Sequence, residues 1–392
     1  MGTPERIKEV AGKVTAAREN GYDVVVVVSA MGKTTDELLN LAHQITPNPS
    51  GREIDMLLST GEQISISLLA MAIHSMGYSA ISLTGAQGGI FTDSVHRRAK
   101  IVDIKPVKII EKLKKDNIVI VAGFQGIDYE QNITTLGRGG SDTTAVALAA
   151  VLHAERCEIY TDVDGVYTAD PNIVTEAKKI DSISYDEMME LAQLGAKVMN
   201  ARAVEVAAKY NVDLTVQSSF HDVPGTLITR EAKDMEYIVV RGIAVQEDEA
   251  KLTIQHLPDK PGIAAKVFKK IADANINIDM IVQNVSEKGI TDISFTVPKN
   301  DLSQTREMLE PFLREIGAAG LAADENMAKI SVAGIGMRGH SGVAARMFDV
   351  LARAGINIEM ISTSEIKISC VIEKKFARQA ARALHKEFKL EK

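Results

Sequence analysis

The sequence predicts an α/β fold, with a mostly parallel sheet sandwiched by helices, followed by two smaller α+β modules. Two observations predict it. The first two-thirds of the chain alternates short β-branched runs with helix-period segments, and one segment of the last third is repeated without a gap. With 392 residues, the chain is also longer than one hydrophobic core usually serves. We therefore predict a first domain over residues 1–225, a linker over 226–240, and modules over 241–320 and 321–392.

The predicted sheet rests on five short apolar runs that are separated by segments with the apolar spacing of a helix. This alternation is typical of a parallel sheet covered on both faces. Ligands of such sheets usually bind at the carboxyl ends of the strands. The predicted strands are 24–29, 80–83, 118–122, 158–161 and 214–217, and the helical segments include 36–44, 62–76 and 185–209.

The N-terminus is predicted to be helical over residues 4–20. Thr3 is a good N-cap, Pro4 suits the first helical position, and Gly21 follows the last residue of the apolar pattern. A parallel sheet usually feeds such a helix from a preceding strand, and the chain as given begins without one.

The repeat comprises residues 262–281 (GIAAKVFKKIADANINIDMI) and 342–361 (GVAARMFDVLARAGINIEMI). Each copy is typical of a helix that runs into a strand, and flanking strands are predicted at 251–256, 292–297, 329–332 and 367–372. Gly334, Gly336 and Gly339 have the spacing of a dinucleotide-binding loop. Because the first copy lacks these glycines and little chain follows them, we interpret them as part of the repeat.

Composition argues against several classes of protein. The formal net charge is −7 and basic residues are interspersed with acidic ones, so no nucleic-acid-binding surface is predicted. We expect no membrane helix and no signal peptide, since no apolar run approaches about 20 residues. Cys157 and Cys370 lie far apart in apolar runs, which argues against a disulfide framework. A cytoplasmic protein is expected.

The most informative segment is Gly-Arg-Gly-Gly-Ser-Asp at residues 137–142, between a predicted strand and a predicted helix. Ser141 or Asp142 can cap that helix, whose free amides favour an anion. The glycine spacing does not fit a P-loop or a dinucleotide fingerprint. Arg138 suits a carboxylate, which a guanidinium binds with two parallel hydrogen bonds. An ordinary tight turn is the alternative.

Two further polar segments follow this logic. Hydroxyl groups, including that of Thr35, follow the strand at 24–29 and lead into a helix. This pattern is consistent both with a polar ligand-contact site and with a simple capped helix start. Glu62 is placed in the first turn of the predicted helix 62–76. An acid there usually complements the helix dipole, and it can also bind a substrate ammonium group.

Residues 160–171 follow another strand and are dense in hydrogen-bonding groups, which indicates either a ligand site or a surface loop. Lys197 lies in a largely apolar helical stretch, and most lysines are simply solvated. The eight histidines lack metal-ligand spacing, and no Ser/His/Asp or Cys/His arrangement is recognised. A reaction that needs neither a protein nucleophile nor a strong base fits best.

Together, the segments Gly-Arg-Gly-Gly-Ser-Asp, Thr-Asp-Val-Asp-Gly-Val-Tyr-Thr-Ala-Asp-Pro, Ser-Thr-Gly-Glu-Gln and Gly-Ala-Lys-Val, with the paired C-terminal modules, resemble the aspartate kinase family. The resemblance runs from Gly2 to the C-terminus. It implies an amino-acid-kinase fold followed by two ACT domains, which bind amino acids as feedback effectors. The cofactors it implies are ATP and Mg²⁺, the substrate is L-aspartate, the effectors are lysine and/or threonine, and the assembly is a homo-oligomer joined through ACT domains.

The resemblance also implies roles for individual residues. Arg138 would bind the α-carboxylate of aspartate and Glu62 its ammonium group, in a pocket shaped by Thr35, Gly139, Ser141 and Asp142. The nucleotide would contact Thr161, Asp162 and Tyr167, while Lys197 would reach its phosphates; Lys197 and Asp142 are the predicted catalytic residues. The predicted effector-binding residues are Asp259, Gly262, Asn277, Gln283, Asn357 and Thr363.

The chain departs from the family pattern in two places. Family members open with a strand and a Lys-Phe-Gly-Gly-Thr-Ser loop, and this chain starts just after that position, so weak or absent activity is expected. Asn172 stands where a basic residue is usual. The alternatives are a non-catalytic amino-acid-sensing subunit and a kinase for another small acid such as glutamate, although the latter does not predict tandem ACT domains.

Overall fold

The computed structural model describes residues 2–194, 198–232, 239–274, 276–283 and 289–391. The chain divides into two compact units. The first comprises Met1–Val166, Asp181–Ala192 and Lys197–Lys233, and the second comprises Tyr167–Ile180, Gln193–Ala196 and Asp234–Lys392. Two short pieces of chain near the middle of the sequence therefore belong to the C-terminal unit, which the sequence pattern does not indicate.

In the part of the chain that the structure describes, the first unit contains three sheets and seven α-helices. The strand orders are β1-β5-β2, β4-β3-β6-β7 and β8-β10-β11-β9. Its strands are β1 (Val25–Val28), β2 (Ala80–Leu83), β3 (Ile90–Thr92), β4 (Ile101–Ile104), β5 (Ile118–Ala122), β6 (Gln125–Ile127), β7 (Ile133–Thr135), β8 (Cys157–Thr161), β9 (Ser182–Ser184), β10 (Leu214–Ser218) and β11 (Thr226–Thr229). Its helices are α1 (Pro4–Glu19), α2 (Thr34–Ile45), α3 (Gly51–Ser75), α4 (Val107–Leu113), α5 (Gly140–Leu152), α6 (Tyr185–Gln193) and α7 (Ala201–Tyr210).

All five predicted strands of the first domain are confirmed, and their pairing is parallel. β1 and β2 flank β5, and β8 pairs with β10. All five residues of β5 are buried, as expected for a strand of a parallel sheet covered on both faces. The predicted N-terminal helix is also confirmed, since the Thr3 hydroxyl accepts a hydrogen bond from the Arg6 N–H at 3.4 Å.

Helix α3 is longer than predicted, because it begins at Gly51 rather than near Glu62. Its 18-residue window of mean hydropathy 1.4 makes it long and apolar enough to cross a membrane, contrary to the sequence-based expectation. However, Leu69 and Ile73 pack in a core cluster with Ile7 of α1 and Ile118 of β5. The helix is apolar because it lies in this core.

Two other segments differ from the sequence pattern. The predicted helical stretch 185–209 forms two helices, α6 and α7, with Asn200 capping α7 through its side-chain oxygen and the Arg202 N–H. Thr226–Thr229, at the start of the predicted linker, forms strand β11 between β10 and β9. Its Thr-Leu-Ile-Thr sequence alternates buried and more exposed residues, which suits a strand. The domain boundaries themselves stay a prediction.

Among its described residues, the second unit contains two four-stranded antiparallel sheets, each covered by two α-helices. Its strands are β12 (Gly242–Gln246), β13 (Glu249–Pro258), β14 (Ile281–Gln283), β15 (Ile290–Pro298), β16 (Gly320–Asp324), β17 (Met327–Ala333), β18 (Met360–Thr363) and β19 (Lys367–Glu373). Its helices are α8 (Ile263–Asp273), α9 (Leu302–Glu315), α10 (Val343–Arg353) and α11 (Ala377–Glu387).

The two repeat copies adopt the same structure. We call β13–β16 with α8 and α9 the first module, and β12 and β17–β19 with α10 and α11 the second module. Their strand orders are β14-β15-β13-β16 and β12-β17-β19-β18. Helices α8 and α10 start after Gly262 and Gly342, which have φ angles of 89° and 93° that only glycine adopts easily. The four flanking strands predicted from the sequence are all present. Gly334, Gly336 and Gly339 lie at a short 3₁₀ helix, Ile335–Gly339, and not at a dinucleotide fold.

Candidate active site

Two adjacent parallel strands of the first unit end side by side. β1 and β5 pair from Val25 with Val119 to Val28 with Ala122, and the Gly123 N–H then donates to the Val28 carbonyl at 3.0 Å. The loops that follow these strands therefore start next to each other. Because ligands of parallel sheets usually bind beyond the carboxyl ends of strands, this edge is the candidate site.

Glu62 is buried next to the loop that follows β1. Its side chain lies in the middle of α3 with only 2% of the residue exposed, and the Ala30 N–H donates to Oε1 at 3.0 Å. Oε2 accepts no hydrogen bond from any residue that the structure describes. Burial raises the pKa of this carboxyl to about 7, although hydrogen bonds from the backbone act in the opposite direction. A cationic ligand at Oε2 would stabilise the ionised form.

Gly61 explains how α3 approaches the loop so closely. A Cβ at Gly61 would lie 2.9 Å from the Ala30 Cβ, so a larger residue would push the helix away from the loop. Helix α2 starts just beyond, where the Thr34 hydroxyl donates to the Met31 carbonyl at 2.7 Å. Thr35 is half-buried in the first turn of α2, the helix that follows the loop after β1. Glu62 and Thr35 thus both lie next to this loop.

The segment Gly137–Asp142 leads into α5, as the sequence predicts. Gly139 has a φ of 69° and directly precedes the helix, and a Cβ there would overlap the Asn200 side chain. Asn200 Nδ2 donates to the Arg138 carbonyl at 3.0 Å. The Arg138 side chain is exposed, and no described residue is in an ion pair with it. Its guanidinium is therefore available to an anionic ligand.

Ser141 connects this segment to the end of β5. A Cβ at Gly123 would lie 2.8 Å from both the Cβ and the Oγ of Ser141, and 2.9 Å from Val27 of β1. The first turn of α5 therefore packs directly on the ends of β1 and β5. Asp142, also in this turn, is half-buried; burial raises the pKa of its carboxyl, while a hydrogen bond from the Asn200 backbone lowers it.

The predicted nucleotide residues lie at a different strand end. Thr161 ends β8, and its carbonyl accepts from the Ser219 N–H at 2.7 Å. The Thr161 hydroxyl donates to the exposed Asp162 carboxylate at 3.1 Å. Tyr167 belongs to the second unit, and Lys197 lies outside the described residues. The predicted phosphate-binding and catalytic role of Lys197 thus stays a prediction.

The described residues hold no preformed metal centre. No group of three or more His, Cys, Asp or Glu side chains within them could bind a metal ion. Mg²⁺ in phosphoryl-transfer sites usually keeps several waters and is held by one or two carboxylates and the nucleotide phosphates. Asp162, which is exposed at the end of β8, fits that kind of partial ligand set.

A cavity of about 320 Å³ lies in the first module at the start of α8. Asp259, Gly262 and Gln283 line it together with Thr291, so three predicted effector residues lie at one cavity. Asn277 is exposed and does not line this cavity. Asn357 and Thr363 occupy the equivalent exposed region of the second module, which contains the second repeat copy.

The comparisons with known proteins agree with this arrangement. Residues 1–218 match the amino acid kinase family, and residues 252–314 and 330–388 each match an ACT domain. An aspartokinase of Pseudomonas aeruginosa is 54% identical over 393 aligned residues, which cover 100% of this chain and 95% of the relative. The chain belongs to the aspartate kinase family.

Solved aspartate kinases share the fold. The structure of Escherichia coli aspartokinase III with aspartate and ADP matches with a TM-score of 0.76 at 28% identity, covering 91% of this chain and 80% of that chain. The structure of that enzyme with lysine and aspartate matches with a TM-score of 0.71 at 26% identity, covering 93% and 92%. The predicted family and the predicted fold class of this kinase are both confirmed.

Sequence reasoning missed the residues that support the Arg138 segment of the kinase. Asp55 of α3 is fully buried and accepts from the Thr135 hydroxyl at 2.5 Å and from the Arg97 N–H at 3.1 Å. Arg202 donates to the Leu136 and Ala99 carbonyls at 3.1 and 2.9 Å. One signal was present in the sequence, since Asp55 lies seven residues before Glu62 and therefore on the same helix face.

Proposed function

We propose that this kinase transfers the γ-phosphoryl group of ATP to the β-carboxylate of L-aspartate, giving 4-phospho-L-aspartate, the first step of lysine, threonine and methionine biosynthesis. One observation carries the proposal. The Arg138 segment and the buried Glu62 lie next to the ends of two adjacent parallel strands. An amino acid presents the complementary α-carboxylate and α-ammonium groups. The match to an aspartokinase solved with aspartate and ADP supports this choice of substrates.

In this proposal, each charged side chain binds one end of aspartate. The Arg138 guanidinium donates two parallel hydrogen bonds to the α-carboxylate, and the free Oε2 of Glu62 accepts from the α-ammonium group. Thr35, Gly139 and Ser141 shape the pocket around the rest of the substrate. Asp142 lies one residue further into α5 and orients that turn. The β-carboxylate is left free to react.

The chemistry needs little from the protein beyond alignment. The β-carboxylate has a pKa near 4, so it is ionised at neutral pH and attacks the γ-phosphorus without a general base. The P–O bond to ADP breaks as the new P–O bond forms. The protein must bring two anions together and reduce their repulsion. A cationic side chain and the amides at the start of α5 are suitable groups, and we assign the phosphate contact to Lys197.

We place the nucleotide next to Thr161 and Asp162 at the end of β8, with Tyr167 as a further contact. Mg²⁺ would be held by the nucleotide phosphates and water, with the exposed Asp162 carboxylate as a further ligand. When bound, Mg²⁺ would neutralise charge on the phosphate oxygens. Asn172, which stands where a basic residue is usual in the family, weakens one expected contact to the nucleotide.

The cavity of the first module is the proposed effector site. Its wall includes the Asp259 carboxylate, which suits an ammonium group, and the free amides at the start of α8 beyond Gly262, which suit a carboxylate. We propose that it binds lysine or threonine as a feedback effector, with Gln283 contacting the side chain; Asn277, which does not line the cavity, stays a predicted effector contact of the same module. Asn357 and Thr363 would serve the equivalent site of the second module.

The edges of the two modules are the proposed dimer contact. β14 and β18 are edge strands, and each exposes an isoleucine at the equivalent repeat position, Ile281 and Ile361. Edge strands with exposed apolar residues are templates for pairing with another chain. We propose a homodimer through this edge. Light scattering of the Ile281→Lys/Ile361→Lys variant should show a monomer, whereas an unchanged dimer contradicts the assignment.

The central experiment traps the acyl phosphate with hydroxylamine. Aspartyl hydroxamate should form only with ATP, Mg²⁺ and L-aspartate present, and L-glutamate should not replace aspartate. The Arg138→Met variant should raise the KM for aspartate by roughly tenfold or more while the KM for ATP stays within about twofold. Arg230→Met, which changes an exposed arginine of the same unit, is the matched control.

The same assay separates the alternative functions. An amino-acid-sensing subunit would bind lysine or threonine in calorimetry yet form no hydroxamate with any acid. A glutamate kinase would form hydroxamate from glutamate. The turnover number of the chain tests the prediction of weak or absent activity. Absence of hydroxamate at saturating aspartate and ATP from a version extended upstream with the family's Lys-Phe-Gly-Gly-Thr-Ser loop contradicts the proposed reaction.

A further inference from the structure

Residues Tyr167–Ile180 follow the proposed nucleotide contacts, yet they belong to the second unit. Ala169 and Val174 are buried in the hydrophobic core of the second module, together with Val332 of β17 and Leu384 of α11. The Arg382 side chain of α11 also donates to the Ile173 carbonyl at 2.8 Å. A segment that begins beside a nucleotide contact is thus built into the core of a regulatory module.

Thr168 is the anchor of this segment. Its N–H donates to the Lys178 carbonyl at 2.9 Å, and its own carbonyl accepts from the Ile243 N–H of β12 at 2.8 Å. Its hydroxyl oxygen accepts from the Lys178 N–H at 3.0 Å and lies 2.9 Å from Nε2 of His385. With only 9% of the residue exposed, water does not replace these bonds easily. Thr168 is therefore held at all of its polar atoms.

His385 holds Thr168 from the second module. It lies on α11 with 2% of the residue exposed, and the Glu391 carboxylate is 4.0 Å from its Nδ1. Burial lowers the pKa of the imidazole, and the nearby Glu391 and Glu176 carboxylates act against that shift. The proposed aspartate and nucleotide contacts do not use this residue.

Four residues, 163–166, connect the proposed nucleotide contact at Asp162 to Tyr167. Asp164 is hydrogen-bonded to His221 at 2.8 Å, and the Val166 N–H donates to the Thr226 hydroxyl at 2.9 Å, so this part of the loop is held by the first unit. Tyr167 comes next and immediately precedes Thr168. The position of the Tyr167 backbone is consequently set on one side by Val166 and on the other by Thr168.

We propose that His385 is a positioning residue for the nucleotide, which acts through its hydrogen bond to Thr168 to hold Tyr167 and thereby makes ATP affinity depend on the second module. The inference rests on the proposed nucleotide contacts at Thr161, Asp162 and Tyr167. His385 itself touches neither substrate. A structural change in α11 would shift Thr168 first, and Tyr167 is the next residue along the chain. This relation provides a covalent route from a regulatory module to nucleotide binding.

Four variants of the full chain test the hydrogen bond. His385→Leu and Thr168→Val each remove it with little change in volume, while His385→Gln and Thr168→Ser each keep a hydrogen-bonding group at the same place. The first pair should raise the KM for ATP roughly five- to tenfold, with kcat and the KM for aspartate within about twofold. The second pair should restore the KM for ATP to near its original value. Lys386→Gln, an exposed neighbour on α11, is the matched control.

Two further measurements make the result decisive. The double variant His385→Leu/Thr168→Val should raise the KM no more than Thr168→Val alone, because that change already removes the bond to His385 together with the bond from the Lys178 N–H. Calorimetric binding of ADP should show the same five- to tenfold weakening, and it requires no turnover. Failure of the proposed reaction would show as absent hydroxamate in the version extended upstream. An unchanged ADP affinity in Thr168→Val, which preserves the shape of the side chain, would overturn the positioning role.

Discussion

Glu62 Oε1 accepts a hydrogen bond from the Ala30 N–H at 3.0 Å, which places a buried carboxylate against the loop that follows β1. The other oxygen, Oε2, has no hydrogen-bond partner within the described part of the chain. A buried carboxylate that is half-satisfied in this way costs stability unless a ligand completes it. The raised pKa of about 7 is the direct result of that environment.

The first prediction concerns the pH dependence of aspartate use. Ionised Glu62 is the form that binds an ammonium group, so kcat/KM for aspartate should rise with pH and level off above the pKa of about 7. The β-carboxylate of aspartate, with a pKa near 4, stays ionised over this range and adds no slope. Initial rates measured between about pH 5.5 and 8 should show this rise in the parent enzyme. The Glu62→Gln variant should be weaker at pH 8 and lack the rise; an identical profile in both enzymes contradicts the role.

The same group predicts an effect on folding. Its pKa is raised from 4.5 to about 7, so the folded state binds more protons than the unfolded state between these values. The free energy of unfolding should therefore fall as pH rises through this window, by roughly 3 kcal/mol in total. Urea unfolding of parent and Glu62→Gln at several pH values measures the difference, which should grow in favour of the variant toward pH 8.

The sequence predicts the strands near the site well, but not the extent of α3. The strands near the site are rich in β-branched and apolar residues, and such short runs predict strands directly; they are β1, β5, β8 and β10. The segment Ser59-Thr60-Gly61-Glu62 has the composition of a helix start, because Ser and Thr often cap helices with Glu three residues later. Gly61 is present for another reason, since it allows the helix to approach Ala30. Local composition alone does not distinguish a helix N-cap from a glycine that allows a helix to pack closely against a loop.

Longer-range relationships were beyond the sequence pattern for a physical reason. Asp55 and Thr135 are 80 residues apart, and Thr168 and His385 are 217 apart. Each bond depends on the tertiary fold, which brings α3 to β7 in the first case and the segment 167–180 to α11 in the second. The resemblance to a family located Arg138 and Glu62, but no periodicity or motif indicated that Asn200 would support Arg138.

The second prediction concerns Asp55, which holds the chain just before the Arg138 segment. In Asp55→Ala, the Thr135 hydroxyl and the Arg97 N–H both lose their acceptor, so buried donors are left without a partner. We expect a loss of roughly 2 to 4 kcal/mol in the free energy of unfolding. Glu53→Gln, an exposed acid in the first turn of the same helix, should change stability by less than about 0.5 kcal/mol. Chemical denaturation of the two variants side by side gives the comparison, and equal losses would contradict the assignment.

The third prediction concerns the close contact of Gly139 and Asn200. Gly139→Ala introduces a Cβ that overlaps the Asn200 side chain at a φ of 69°, so it should lower stability and raise the KM for aspartate. Adding Asn200→Gly relieves the overlap and leaves only the backbone strain. The double variant should consequently lose less than the sum of the two single changes, as measured by urea unfolding and initial rates. Gly12→Ala in α1, where a Cβ meets nothing within 4 Å, is the control; strictly additive losses would argue against the overlap.

The fourth prediction uses two equivalent lysines of the repeat. Lys251 lies in β13 and Lys329 in β17, and each directly follows an alanine. Each lysine pairs with an acidic residue of the other module. The Lys251 side chain is 19% exposed and lies 2.8 Å from Glu359. The Lys329 side chain is 1% exposed; it pairs with Asp279 and lies 3.5 Å from Glu249. The pairs have the same chemistry but differ in burial.

Removing the buried member should therefore cost much more. Lys329→Met leaves Glu249 buried without its cation, and burial already raises the pKa of that carboxyl; we expect a loss of roughly 3 to 5 kcal/mol in the free energy of unfolding. Lys251→Met breaks a more exposed pair and should cost about 1 kcal/mol or less. Since protonation of Glu249 removes the uncompensated charge, the loss in Lys329→Met should shrink as pH falls, and denaturant titrations at about pH 5 and 8 should show this. Equal losses in the two variants would mean that burial does not govern these ion pairs.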